Sequence, residues 1–146
     1  MNKEMKQYTG TKTVKAMPMT MGEAYERKLL KEGVRPSECE TDKAGYLVEY
    51  EDGYQSWSPA EPFDKVYKLS ETFIDRLSIE REELNERFTA LDSFLDKGYS
   101  YIIEKVGVLQ ASLLISQHLC MSGYLNILNS RILYMETATK QNSQRV

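Results

Sequence analysis

The second half of the chain contains a long, proline-free stretch in which apolar residues recur at helical spacing. From about Lys105 to Met135 the side chains are apolar nearly all round a helix, and an apolar seam runs along the segment before it. Gly98 is placed to end that first segment, so the pattern predicts an antiparallel helical hairpin. Two helices alone cannot bury this much apolar surface, and symmetric self-association is the common solution. The seam consists of Ile74, Leu77, Leu84, Phe88, Leu91 and Leu95, with Arg81 at one step.

The first half of the chain is instead rich in Tyr, Thr, Val, Gly and Pro. Gly45–Glu51 is the clearest strand, Asp52-Gly53 favours a tight hairpin turn, and Tyr54–Trp57 is the returning strand. Thr11–Met17 is also β-prone. We therefore expect an α+β fold: a small N-terminal antiparallel β-sheet module followed by a long C-terminal antiparallel helical hairpin that oligomerises through its helices.

Two short helices are predicted around the sheet. The first covers Met21–Glu32 and stops at Gly33. The second follows an N-cap at Ser58 and a first-turn proline, and it places Phe63, Val66 and Tyr67 together. The expected division is a β-rich module at residues 1–69, a helical hairpin domain at 70–136 and a polar, frayed tail at 137–146.

The composition of the chain argues against several classes of protein. The 19 basic and 22 acidic residues give a net charge of −3, whereas a duplex-DNA binder usually has a basic excess. No apolar run approaches the roughly 20 residues that span a bilayer, and Met1–Tyr8 is too polar for a signal peptide. Cys39 and Cys120 do not make a disulfide framework, so a reducing cytoplasm is the simplest compartment. We expect neither duplex nucleic acid nor a membrane as a partner.

Enzyme chemistry is hard to place in this sequence. The only histidine, His118, lies in the apolar periodic stretch, and the sequence carries no metal-binding cluster, phosphate loop or nucleophile elbow. His118 and Cys120 are predicted to be packing residues, and the glutamates at 80–86 are typical of a solvated helix face. We expect no catalytic residue, metal or cofactor, and binding is favoured over catalysis.

Gln117 and Arg131 are the polar members of an otherwise apolar stripe on the second helix. They either lie at its rim, with the Arg131 stem on apolar surface, or face a cavity between subunits. A guanidinium fork in such a cavity suits phosphate or pyrophosphate. The full stripe is Leu114, Gln117, Met121, Tyr124, Leu128, Arg131 and Met135.

Aromatic and basic residues elsewhere give further candidates. Tyr99 and Tyr101, in the connector between the helices, either cap the core of the hairpin or stack on nucleobases. Gln110 lies near the start of the second helix, where amide donors meet an anion or a base edge. Trp57 has the usual features of a core anchor. Lys68 either favours the end of its short helix electrostatically or points at an anionic ligand.

The segment Gln110–Ile132 resembles the helical hairpin shared by phage anti-CBASS proteins and phage Thoeris anti-defence proteins, and Leu84–Leu95 resembles the first arm of that hairpin. Tyr8–Met19 and Gly45–Tyr67 resemble a small phage-encoded β module. This layout is similar to that of the Thoeris anti-defence sponge family. The matching hairpin positions are Leu113, Leu114, Gln117, Met121, Tyr124, Leu128 and Arg131.

The resemblance implies a protein that is not an enzyme. Members of that family bind and sequester cyclic ADP-ribose isomers made by TIR-domain proteins, and some hold cyclic di- or trinucleotides at separate sites. They form symmetric homo-oligomers, commonly hexamers, with ligand pockets where subunits meet. A phage protein of this kind acts in the cytoplasm of the infected bacterium.

The resemblance also implies site residues. Gln117 and Arg131 fit the hairpin pattern, and the two tyrosines fall where the family places an aromatic residue, although phenylalanine is expected there. Gln110 falls at a polar, base-contacting position, and Lys68 where a basic residue faces the ligand. The candidate ligand-binding residues are Tyr99, Tyr101, Gln110, Gln117, Arg131, Lys68 and Trp57.

A second function class explains the apolar helices equally well. In this alternative the chain is a structural or interaction protein, whose hairpin mediates assembly and whose sheet binds a partner protein. Ligand binding discriminates between the two classes.

Overall fold

The structure, a computed structural model, describes residue 7, residues 9–10 and residues 12–143. The chain splits into two compact units, Met1–Lys68 and Leu69–Val146. The first contains an antiparallel sheet and the second contains long helices, which confirms the predicted α+β class. Tyr8, Thr11 and the last three residues, to which some of the predictions apply, lie outside the described residues.

Three strands form the described sheet, in the spatial order β1-β2-β3. They are β1 (Lys15–Pro18), β2 (Gly45–Glu49) and β3 (Gln55–Pro59). The predicted hairpin between β2 and β3 is confirmed: the Tyr50 amide donates to the Tyr54 carbonyl at 2.9 Å. Gly53 adopts φ +82° in this turn, a conformation that glycine reaches without strain.

The first short helix is shorter than predicted. Helix α1 covers Met21–Glu26, with a capping box formed by Thr20 and Glu23. Lys28 then adopts φ +58°, and this left-handed residue ends the helix before the predicted stop at Gly33. Leu29 and Leu30, which fit the helical period in sequence, therefore lie beyond its end.

The second short helix begins differently from the prediction. Helix α2 covers Ala60–Val66, and its N-cap is Pro59, which has no side-chain capping bond. Ser58 belongs to β3, because the strand continues to Pro59 and leaves no position for a serine cap. Phe63 stacks on Tyr46 with ring centroids 4.3 Å apart, whereas Val66 is 71% exposed instead of joining the cluster.

The second unit contains three helices among its described residues. They are α3 (Phe73–Leu95), α4 (Tyr99–Val106) and α5 (Val108–Ser143). The predicted connector is therefore helical, since Gly98 at φ +92° and Gly107 at φ +83° bracket α4. The start predicted near Lys105 is also wrong, because Gly107 separates α4 from α5. Helix α5 continues to Ser143, so the segment predicted as a frayed tail is helical over most of its length.

The core of the second unit lies along one face of α5, where it meets α3. Leu128 is fully buried and, with Leu77 and Ile132, forms the central cluster, against which Leu84 and Met135 pack. The predicted α3 seam is confirmed, because its residues are buried or half-buried. We call the buried face of α5 the inner seam. Its buried members are Ala111, Met121, Leu125, Leu128 and Ile132.

His118 joins α3 to α5 by more than packing. Its Nε2 forms a hydrogen bond with Asp92 Oδ1 at 2.7 Å, and its ring stacks on Phe88 with centroids 4.7 Å apart. The apolar periodicity of the sequence predicts a packed position for His118. It does not predict the polar partner Asp92, which lies on another helix. Cys120, in contrast, is exposed and does not pack in the core as predicted.

We predict that His118→Ala lowers the free energy of unfolding by about 2 kcal/mol, because it removes a hydrogen bond to a carboxylate together with a ring contact. Urea unfolding at fixed protein concentration measures the change. Asn126→Ala, at an exposed position of α5, is the matched control and should change stability by less than about 0.5 kcal/mol. Equal effects of the two substitutions would contradict the assigned role of His118.

Candidate ligand-binding clusters

An exposed aromatic ring at the start of α3 has two guanidinium groups close to it. Phe73 is 48% exposed, and the Cζ atoms of Arg131 and Arg76 lie 5.7 Å and 5.9 Å from its ring centroid. Arg76 also donates from Nη1 to the carbonyls of Ser70 and Glu71, at 3.3 Å and 3.2 Å. We call Phe73, Arg76 and Arg131 the arginine cluster.

A capping box formed by Thr72 and Asp75 fixes the start of α3, and therefore the position of Phe73. The Thr72 amide donates to Asp75 Oδ2 at 2.8 Å, and the Asp75 amide donates back to Thr72 Oγ1 at 3.1 Å. The backbone hydrogen bond from Thr72 is the main cause that lowers the pKa of Asp75, so its carboxylate remains charged in mild acid. Phe73 is the first helical residue after this cap.

The arginine cluster suits a ligand that carries both phosphate and a base. Guanidinium groups bind phosphate oxygens through paired hydrogen bonds, and an exposed ring offers a face for stacking. Sequence reasoning found Arg131 but missed Phe73 and Arg76. The only signal for Phe73 was its position just after a capping box, and its side chain does not belong to the buried seam.

A second aromatic ring with two cations lies on α4. The Nζ atoms of Lys97 and Lys105 are 5.3 Å and 5.4 Å from the Tyr101 ring centroid, and Phe94 meets that ring edge-on at 6.3 Å. We call Lys97, Tyr101 and Lys105 the lysine cluster. Tyr99, in the first turn of α4, is 51% exposed. Tyr99 and Tyr101, predicted to lie in a connector between the hairpin arms, therefore belong to a helix, and a ligand-binding role for them stays a prediction.

Four polar or aromatic residues form one row along α5. They recur every seven residues, which places them on the same flank of the helix, and all four are exposed. We call this set, which contains three of the predicted residues, the flank row. Its members are Gln110, Gln117, Tyr124 and Arg131.

A single chain does not bring the predicted α5 residues together. At about 1.5 Å per residue, Gln110 and Arg131 are about 31 Å apart along the helix. Gln117 lies between them, and its Nε2 is 3.7 Å from Met121 Sδ. One chain therefore separates the guanidinium from the polar residue expected to contact the base.

The remaining two predicted residues belong to the first unit. Trp57 Nε1 donates to the Met19 carbonyl at 2.8 Å, and its ring lies where a side chain at Gly45 would have to stand. These contacts match the core-anchor interpretation of Trp57. Lys68, the last residue of that unit, is exposed. A ligand-binding role for either residue stays a prediction.

Comparison with known proteins adds one finding. Residues 71–134 match the family model described as Sequestin. The name indicates sequestration of a ligand or partner, and the match is consistent with a sequestering anti-defence protein. The matched segment includes the arginine cluster, the lysine cluster and the whole flank row.

No curated protein and no solved structure matches the chain. Within the described residues, no helix is long and apolar enough to cross a membrane.

Proposed function

We propose that this protein binds cyclic nucleotide immune signals and holds them intact, so that the downstream effector is not activated. Its ligands are glyco-cyclic ADP-ribose isomers made by TIR proteins, with cyclic di- and trinucleotides as further ligands. The observation that carries the proposal is the Sequestin match over residues 71–134, the segment that presents Arg131 beside an exposed aromatic ring. A pyrophosphate and an adenine base are the chemical groups that such a cluster recognises.

Assembly is part of the proposal, because α5 has a second apolar face. This outer seam follows the same three- and four-residue steps as the inner seam but on the opposite side of the helix. Leu109, Ile127 and Tyr134 on it are 73%, 58% and 77% exposed. The outer seam consists of Leu109, Leu113, Ser116, Cys120, Gly123, Ile127, Ser130 and Tyr134.

Gly123 favours another helix as the occupant of the outer seam. A glycine inside a helix costs about 1 kcal/mol relative to alanine. Apart from the adjoining backbone of α5, no described atom lies within 4 Å of the place where a Cβ of residue 123 would stand, so the fold of one chain does not require this glycine. Close approach of a second helix, aided by the small neighbours Ser116, Cys120 and Ser130, does explain it.

The seam also indicates how a second copy sits. Its large residues lie towards the ends and most of its small ones towards the middle, so an antiparallel pair centred between Cys120 and Gly123 packs on itself. In that arrangement Arg131 lies about 3 Å along the axis from the level of the partner subunit's Gln110. Two copies thus unite the two ends of the flank row, and higher oligomers, including the hexamer implied by the resemblance, are built from such pairs.

Sequestration works by mass action. The protein must exceed the signal in concentration and bind it more tightly than the effector does. We expect purified protein to deplete glyco-cyclic ADP-ribose stoichiometrically and to release it chemically unaltered when heated. Altered ligand after release would indicate an enzyme. No depletion of this or any cyclic di- or trinucleotide would favour the interaction-protein alternative, which the exposed outer seam also supports.

We predict that Arg131→Ala weakens binding of the cyclic signal at least about tenfold, because it removes a charge-assisted hydrogen bond to phosphate. Equilibrium dialysis measures the change. Arg87→Ala is the matched control, since Arg87 is an exposed arginine on α3 paired with Glu83 at 3.4 Å. Undiminished binding by Arg131→Ala would show that the arginine cluster is not the site.

We predict that Ile127→Glu converts the assembly to single chains, because it places a charge in the middle of the outer seam. Light scattering coupled to size exclusion gives the mass. Val66→Glu changes an exposed valine of the first unit in the same way and should leave the mass unchanged. An unchanged mass for Ile127→Glu would exclude the outer seam as the contact.

Mixing two inactive variants tests whether the site is shared between chains. If each site combines Arg131 of one chain with Gln110 of another, co-refolded Arg131→Ala and Gln110→Ala chains should regain about one quarter of the wild-type sites, the fraction expected for random pairing in dimers. Titration with labelled ligand counts those sites. No recovery from two separately impaired variants would contradict a site that combines Arg131 of one chain with Gln110 of another.

A further inference from the structure

A cleft opens between α3 and α5, and none of its lining residues belongs to either aromatic cluster. Its volume is about 320 Å³. Arg81 and Asn85 line it from α3, and Leu125 and Asn129 line it from α5, with Glu82 also on the α3 side. Volumes of about 300–1,000 Å³ are typical of small-molecule sites, so this cleft suits a ligand at the small end of that range.

Arg81 occupies a position where the helix pattern calls for an apolar residue. It lies in the α3 seam between Leu77 and Leu84, and it is half-buried. Among the residues that the structure describes, its guanidinium has no hydrogen bond and no ion pair. A charged residue at a seam position departs from the apolar pattern of the helix, and such departures are expected at functional sites.

Two exposed asparagines also line the cleft. Neither Asn85 nor Asn129 has a side-chain hydrogen bond within the described part of the chain. They stand on different helices but line the same cleft as Arg81. The cleft therefore presents one cation and two carboxamides whose hydrogen-bonding groups are all available.

We infer that the cleft binds a single adenine nucleotide, with its phosphate on Arg81 and its base between Asn85 and Asn129. A guanidinium fork matches phosphate oxygens, and a carboxamide, with a donor and an acceptor side by side, matches the adenine edge. Leu125 is the one apolar residue among those that line the cleft. Glu82 has an interaction of its own and disfavours highly charged phosphates, so a nucleoside monophosphate fits better than a triphosphate.

This site goes beyond the proposed function, because all of its residues come from one chain and none belongs to the flank row. Its occupancy therefore requires no second copy. The two proposals also fail separately: depletion of cyclic ADP-ribose tests Arg131, whereas binding of AMP tests Arg81.

Calorimetric titration of the full chain with AMP tests the inference. We expect saturable binding with one AMP per chain, and much weaker binding of adenosine and of inorganic phosphate, since each lacks half of the recognised groups. No saturable AMP binding, or phosphate binding as tight as AMP binding, would overturn it.

Arg81→Leu separates a ligand-binding role from a structural one. Leucine completes the apolar seam, so the variant should unfold at a higher urea concentration than wild type while its AMP affinity falls at least tenfold. Arg87→Leu, at an exposed position of α3, should neither raise the urea concentration at which the protein unfolds nor weaken AMP binding. A lower unfolding midpoint would show that Arg81 serves the fold, and unchanged AMP affinity would show that Arg81 does not contact the nucleotide.

Asn129→Leu provides an independent check from the other helix. It should weaken AMP binding without altering the affinity for inorganic phosphate, because the asparagine contacts the base. Should Arg81→Leu fail to fold, Arg81→Gln keeps the polar surface and should show the same loss of AMP affinity. Wild-type affinity in both Asn129→Leu and Arg81→Gln would refute the assignment.

Discussion

The packing of α3 along one side of α5 is the interaction on which the rest of the second unit depends. It buries Leu77, Leu128 and Ile132, and it fixes the rotation of α5 about its axis. Once that rotation is set, the outer seam and the flank row have defined directions. The core thus determines which residues remain for a ligand or for another chain.

The main helices and strands follow from the periodicity of apolar residues in the sequence. Most differences between the predicted and the observed elements arise at helix ends, where local backbone geometry decides the boundary. The α3 seam was predictable because its apolar residues recur at three- and four-residue steps, which indicates a helix. The hairpin turn at Gly53 was predictable because Asp-Gly favours a tight turn. The helix α4 was missed because Gly98 signals only that a helix stops; it does not exclude that another begins one residue later. The end of α1 was missed because Lys28 adopts a positive φ that its residue type does not suggest.

The candidate site was less predictable than the fold, because it depends on residues that are close in space and distant in sequence. Arg131 is visible as a polar interruption of an apolar stripe. Phe73, more than fifty residues earlier, becomes its neighbour only when α3 and α5 pack side by side. The same holds for Asp92 beside His118, and for Arg81 across the cleft from Asn129.

The central claim is that the helical unit is completed by further copies, and that the cyclic signal is held where they meet. Native mass spectrometry over a dilution series, with glyco-cyclic ADP-ribose present, tests it most directly. The account predicts that ligand is found only on multimers and is lost as they dissociate. Single chains that keep the ligand at the highest dilution would contradict it.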